Sequence, residues 1–464
     1  MPLSGRNISI LAALEDPSRK WDRKMIRRSI FTLGIPLIIG ELGSICQQFA
    51  DTMMVGHHST QELAAAGFIN SIFLFVIFLT LGMSYASTPL IASAFSRKDH
   101  TSVVRSLFES LVVNILVGLF YVLVLVAILK YIDVFNQPKE ILKFAVPYFK
   151  WIILSVPFMT LFNGLKQYMD GIGRTQVSMW ILIISNVLNI GLNFCLIFGK
   201  FGFEEYGLVG AGISTFVART FQFIALFIIV LNTHLVRNAL SKKVRNEVKP
   251  TKSGVFHQIK LGLPISGQLG LEIATFNICG IFMGWIGVVP LAAHQAMFTL
   301  STLCFQVLYG FGAAGSILVS QFRGLGQWQN VKQTSYQTWF IGLVSVFILT
   351  AIIGLSFETF ATFFTNDPRV VKVMWTILPW FALYQLGDCT QITFANALRG
   401  LELTKPLFVI AFFSYICFCI PLCYVFAFKM GWTSSGVWAG TPIGLSTAGL
   451  LFYWRFRRAL KEKL

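Results

Sequence analysis

Charge is what this chain has least of. Only 12% of its 464 residues are Asp, Glu, Lys or Arg, against 55% hydrophobic ones, and that is too little to dress the surface of a soluble protein of this size. Paired histidines, a nucleophile motif and a metal-spaced cluster are also missing, so nothing in the residues supports an enzyme acting on lipid inside the bilayer. The eight cysteines, Cys46, Cys195, Cys279, Cys304, Cys389, Cys417, Cys419 and Cys423, all fall within apolar runs without zinc-like spacing. They are expected to be packing residues, with neither a disulfide nor a metal. The stretch 1–28 is polar and ends in WDRKMIRR, which gives no sign of a cleavable signal peptide. The 37 Lys and Arg outnumber the 20 Asp and Glu for a net charge of +17. They do not gather on one face but lie between apolar runs, on alternate sides of a membrane, a pattern that orients spans and not one that holds nucleic acid.

What the chain has in abundance is apolar runs of the roughly 20 residues needed to cross a bilayer. About twelve are read: 29–55, 63–95, 103–131, 144–169, 177–198, 207–231, 256–286, 291–322, 333–363, 371–398, 406–430 and 436–454. The fold class expected is an all-α polytopic membrane protein. The chain also repeats itself. Pro36, Gly56, Leu63, Ala64 and Ala65 fall, after a shift of 228 residues, on Pro264, Gly284, Leu291, Ala292 and Ala293, which reads as two copies of one six-helix unit. The expected organisation is a cytoplasmic segment at 1–28, a first lobe at 29–231, a basic cytoplasmic linker at 232–255, a second lobe at 256–454 and a cytoplasmic tail at 455–464. Six spans per half bring each half back to the side on which it began, so the lobes are expected to be parallel, related by a pseudo-two-fold axis along the membrane normal.

Acids inside such runs are functional candidates by default, because a charge at the bilayer centre is costly. Glu272 lies about 12 residues, or roughly 18 Å at 1.5 Å per residue, beyond Lys260. Asp388 lies about 12 residues before Gly400, the end of its run, so the two acids are expected at one depth in one lobe. Burial and mutual repulsion suit such a pair to taking up a proton or sharing a sodium ion. The competing reading is that neighbouring bonds neutralise each acid and that they only hold helices together. The matching acid of the first half is Asp51, with Asn189 and Asn193 one turn apart and Asn163 as further oxygen ligands, although each asparagine alone is as well explained by packing. Glu41 and Arg219 also lie within spans. Weaker motifs are read as structural: Gly280 and Gly284 as a helix-packing pair, GIGRT as a turn, and His57 and His58 as solvated loop residues.

The motifs LGIP with FADTMMVG, LNIGLNF followed by YGLVGAGIST, LGLP with Glu272, ALYQLGD at Asp388 and the following ALRG resemble the multidrug and toxic compound extrusion family, in particular its bacterial NorM-like branch. The resemblance implies a cation-coupled antiporter of the bacterial inner membrane that exports hydrophobic cationic compounds. It gives Asp51 the role of the first-helix acid and Glu272 with Asp388 that of the second-lobe acids. Tyr384 matches the tyrosine one turn before the latter, and Asn189 with Asn193 match a pair of polar positions, whereas an acid at Glu41 departs from the pattern. The coupling ion expected is sodium or a proton, with a possible sodium site at Glu272 and Asp388, no cofactor, and a monomer in the bilayer. A flippase for lipid-linked oligosaccharide is the main rival; it should place Lys and Arg in its cavity to hold a pyrophosphate, and acids dominate here. A passive channel fits two facing acid-bearing lobes less well than alternating access does.

Overall fold

A computed structural model describes residues 21–241 and 246–464. Most of the expected segment 1–28 and part of the linker 232–255 lie outside the described residues. The first helix, α1, runs through Arg23–His58 with Pro36 inside it. It is followed by α2 (Thr60–Ser84), α3 (Ser87–Ser96), α4 (His100–Lys130), α5 (Lys139–Gly171), α6 (Thr175–Ile197), α7 (Leu208–Leu231) and the short α8 (His234–Ala239). The second half supplies α9 (Lys252–Ile286), α10 (Val288–Gly324), α11 (Trp328–Leu355), α12 (Phe357–Phe364), α13 (Pro368–Gly400), α14 (Lys405–Lys429) and α15 (Thr433–Lys461). Among the described residues eleven helical stretches are long and apolar enough to cross a membrane. The 29-residue α15 is long enough but richer in glycine and in terminal arginines. The chain is an all-α polytopic membrane protein.

Local chemistry explains the breaks. The Asp99 side chain accepts from Ser102 N at 3.0 Å and so begins α4, and Asp367 begins α13 by accepting from Arg369 N at 2.9 Å. These are N-caps that satisfy amides left without a helical partner. Hydrogen bonds from Arg369 also hold the Asp367 carboxyl below the usual carboxylate range. Two of the expected spans are each divided in the structure, 63–95 at Tyr85–Ala86 and 333–363 at Ser356. Within α14, π-helical turns cover Phe412–Cys419 and Val425–Lys429 on either side of Pro421; widened turns of this kind are frequent at functional sites.

The chain gathers into two compact units. Among the described residues, one holds 21–38 together with 267–464, and the other falls within Ile39–Ser266. Their edges therefore fall inside α1 and α9, and each lies two residues past a proline, Pro36 or Pro264, that cannot donate its helical hydrogen bond. These edges differ from the lobe limits read at 29–231 and 256–454, because a continuous helix carries no loop signal where it passes from one unit to the next.

In the unit of Ile39–Ser266, α5 lies along α4 and α7, and α6 along α7, around buried residues such as Phe149, Ile152, Val156 and Leu165. In the other unit α13 lies along α10 and α15, around Met297, Phe381 and Trp438. The closest approach uses glycine: a Cβ on Gly440 would meet the backbone of Cys423, and one on Gly444 would meet Cys419. This small-residue stripe lets α14 lie against α15, in a solvent where packing and not water expulsion joins helices. Cys279 and Cys423 are free thiols with sulfurs 3.9 Å apart in the same core. By contrast Gly280 and Gly284 face the start of α10 at ordinary van der Waals spacing, 3.6 Å to His294 and 3.9 Å to Leu291, so the pair singled out in the sequence is not the tight one.

Candidate functional site

Glu272 sits five residues past the start of the second compact segment on α9, and it is buried. Its Oε2 accepts from Gln391 Nε2 at 3.1 Å. Gln391 lies three residues after Asp388 on α13, hence on nearly the same face. One turn before Glu272, Gln268 Oε1 accepts from Arg399 Nη2 at 2.9 Å, and Arg399 is itself buried and within electrostatic range of Glu272. The chain Arg399, Gln268, Glu272 and Gln391 thus joins two helices through polar groups.

Asp388 is different. It is 0% exposed, it lies within electrostatic range of Glu272, and among the described residues neither of its carboxylate oxygens has a hydrogen-bond partner. Among the described residues both amide atoms of Gln385, one turn before Asp388, and the hydroxyl of Tyr415, within electrostatic range of it, are also buried without partners. Buried polar groups are nearly always satisfied, so several orphans gathered about one acid mark a place that something else completes. Tyr384, one turn before Asp388, is buried edge-on to Phe276 at 5.8 Å and to Trp438 at 6.1 Å. His294 stacks on Phe298 and meets Trp438, closing an aromatic wall.

In the unit of Ile39–Ser266, Asp51 is half-buried and well supplied. Its Oδ1 accepts from Asn193 Nδ2 at 2.5 Å, and the same amide reaches Asn189 Oδ1 at 3.2 Å. Arg219 is within electrostatic range of Asp51, donates to Ser155 Oγ at 2.6 Å and lies 4.8 Å over the Phe73 ring. Asn163 is buried on α5, and among the described residues no hydrogen bond joins it to Asp51. Glu41 is not brought to Asp51 either. Ten residues before it on α1, roughly 15 Å along the axis, Glu41 pairs with Lys166 at 3.5 Å, and Lys166 in turn reaches Asp170 at 3.2 Å.

Two residues depart from their sequence reading: His57 and His58 form the last turn of α1 and not a loop, and His57, exposed, bonds back to Met53 O. His58 is not a solvated loop residue: its Nδ1 meets Glu62 Oε2 and its Nε2 meets Glu205 Oε1, both at 2.8 Å. Glu62 also accepts from Leu208 N at 2.9 Å, beside Gly207, which has a φ of +54° and whose Cβ, if present, would collide with the Glu62 carboxylate. The partners decide the environment of a histidine, and those partners lie 4 and 147 residues away. Gln391, Gln268, Arg399 and Tyr415 were likewise not singled out from sequence. Gln391 had a signal in its spacing from Asp388, and Arg399 lies within the ALRG motif, but nothing in the order of residues says that Arg399 reaches α9. Among the described residues no group of three His, Cys, Asp or Glu side chains is placed to hold a metal ion.

Comparison with known proteins agrees with this architecture. The chain is 27% identical over 438 residues to the multidrug resistance protein NorM of Photobacterium profundum, covering 93% of this chain and 95% of that protein. It is 29% identical over 445 residues to the probable multidrug resistance protein NorM of Rhizobium meliloti, covering 94% of each. An outward-facing multidrug resistance MATE family transporter of the MOP superfamily superposes with a TM-score of 0.85 at 18% identity, over 94% of this chain and 96% of that one. The MatE family pattern matches twice, over residues 36–195 and 264–425, with starts separated by the same offset as the internal repeat. The chain belongs to the MatE family, the multidrug and toxic compound extrusion transporters.

Proposed function

We propose that this protein exports hydrophobic cationic compounds across the bacterial inner membrane in exchange for sodium ions or protons running inward. The observation that carries the reading is the sealed, unpartnered carboxylate of Asp388 beside the hydrogen-bonded Glu272. A buried acid without donors is stabilised by a cation, and two cations that compete for one acid weaken each other's binding reciprocally. An organic cation is therefore released when sodium or a proton binds, and the inward run of that ion supplies about 2.3 kcal/mol per charge for each 100 mV. The aromatic wall of Tyr384, Phe276 and Trp438 supports a role in accepting flat apolar cations.

In this reading Glu272 and Asp388 bind the coupling ion, Asp51 with Asn193 and Asn189 has a secondary role in proton binding or substrate contact, and the two lobes alternate access as a monomer. Both termini and the linker 232–255 face the cytoplasm. The test is transport of a fluorescent cation in proteoliposomes with sodium and proton gradients imposed separately. Export driven by neither gradient overturns the reading. For orientation, a cysteine at Ser253, an exposed position, in a background without native cysteines should resist an impermeant thiol reagent added to intact cells.

A further inference from the structure

The two acids near one another are unequally provided for. Glu272 has a hydrogen bond from Gln391 and a buried guanidinium, Arg399, held one helical turn away by Gln268. Asp388 has neither. Arg399 is eleven residues beyond Asp388 on α13, roughly 16 Å along the axis, so its charge bears on α9 far more than on the acid of its own helix. Arg399 also reaches Asn396 Oδ1 at 3.5 Å and is closed off from solvent, and a buried cation of this kind persists only where an anion offsets it.

We propose that Arg399 is a positioning residue: held by Gln268, it neutralises Glu272 as a fixed anion, leaves Asp388 as the acid that exchanges cations, and so sets the cation concentration at which substrate is released. This rests on the proposed exchange function. The titratable and charged groups around the pair, among the described residues, are Arg399, Tyr384 and Cys389 on α13, Cys304 on α10 and Tyr415 on α14, with His294 of α10 farther off behind Phe298 and Trp438. Arg399 is the one permanent cation among them. With it the cluster of Arg399, Glu272 and Asp388 carries one net negative charge; without it the cluster carries two and holds any small cation more tightly.

The experiment uses the full-length purified protein with ethidium as probe, kept well below its own dissociation constant so that the half-releasing concentration reports cation affinity alone, measuring dye release against sodium at fixed pH and against pH without sodium. Arg399→Gln should lower the half-releasing cation concentration about tenfold or more, the scale of one nearby charge, while Arg399→Lys keeps it near the parent value. Gln268→Leu, which cuts the hold on Arg399, should shift it in the same direction and carries the test if Arg399→Gln does not fold. Thermal unfolding supplies an independent readout: Arg399→Gln combined with Glu272→Gln should be more stable than the sum of the single losses, since removing both partners leaves no lone buried charge. A half-releasing concentration unchanged in folded Arg399→Gln or Gln268→Leu, or additive stability losses, overturns the role of Arg399. Normal dye release by cations in Glu272→Gln and Asp388→Asn instead overturns the exchange function itself, and the two failures are thereby distinct.

Discussion

Asp51 and Asp388 occupy the two compact units, and their surroundings are opposites. Asp51 is half-exposed and takes a short amide bond from Asn193, with Asn189 behind it. Asp388 is sealed and, among the described residues, has no donor at either oxygen. An acid with an amide donor and contact with solvent can carry its charge unaided, whereas a sealed one requires a bound proton or cation. The comparison teaches that a repeated fold has not meant a repeated site: the two acids stand in unlike surroundings, and the proposed exchange at Asp388 rests on that difference.

The sharpest way to break the comparison is to neutralise each acid. Asp388→Asn and Glu272→Gln keep volume but remove titration, and each should reduce efflux in intact cells to background while the protein still reaches the membrane. Normal drug resistance in both would make these acids structural. Asp51→Asn should have a smaller effect, weakening transport several-fold, on the order of the ~1 kcal/mol of one hydrogen bond, while cation-induced release of bound dye survives. If release is lost in Asp51→Asn alone, the exchanging site belongs to the unit of Ile39–Ser266.

Most of this asymmetry was hidden in the sequence. The spans, the repeat and the three acids were legible because a lone carboxylate in an apolar run, or a proline recurring at a fixed offset, is conspicuous without any partner. The partners were not. Lys166 lies 125 residues from Glu41, and Arg399 lies 131 residues from Gln268, so neither spacing nor composition could pair them. The asparagine ladder at Asn189 and Asn193 was legible from its one-turn spacing, but that Asn163 stays apart from Asp51 depends on the rotation of α5, whose polar and charged residues do not gather in one stripe.

Smaller tests address the packing that holds each site. Gly440→Val should cost about 1–3 kcal/mol as overpacking against Cys423, seen as a lower unfolding temperature; Gly284→Ala, facing Leu291 at 3.9 Å, should leave that temperature nearly unchanged. In the other unit His58→Gln should cost less, up to ~1 kcal/mol for a partly exposed ion pair, with transport retained. A loss of transport in folded His58→Gln would extend the functional region of that unit to the His58, Glu62 and Glu205 cluster.

The passage of α1 and α9 from one compact unit to the other within a helix bears on how the protein could be divided. A cut in the linker between α8 and α9 separates the genetic halves, yet the front part of α1 then travels with the half whose fold it does not complete, and so does the front part of α9. Each fragment alone lacks a structural piece carried by the other. Fragments split there should accumulate only when made together in one cell, each lending the other a helical segment, whereas either one made alone should be degraded.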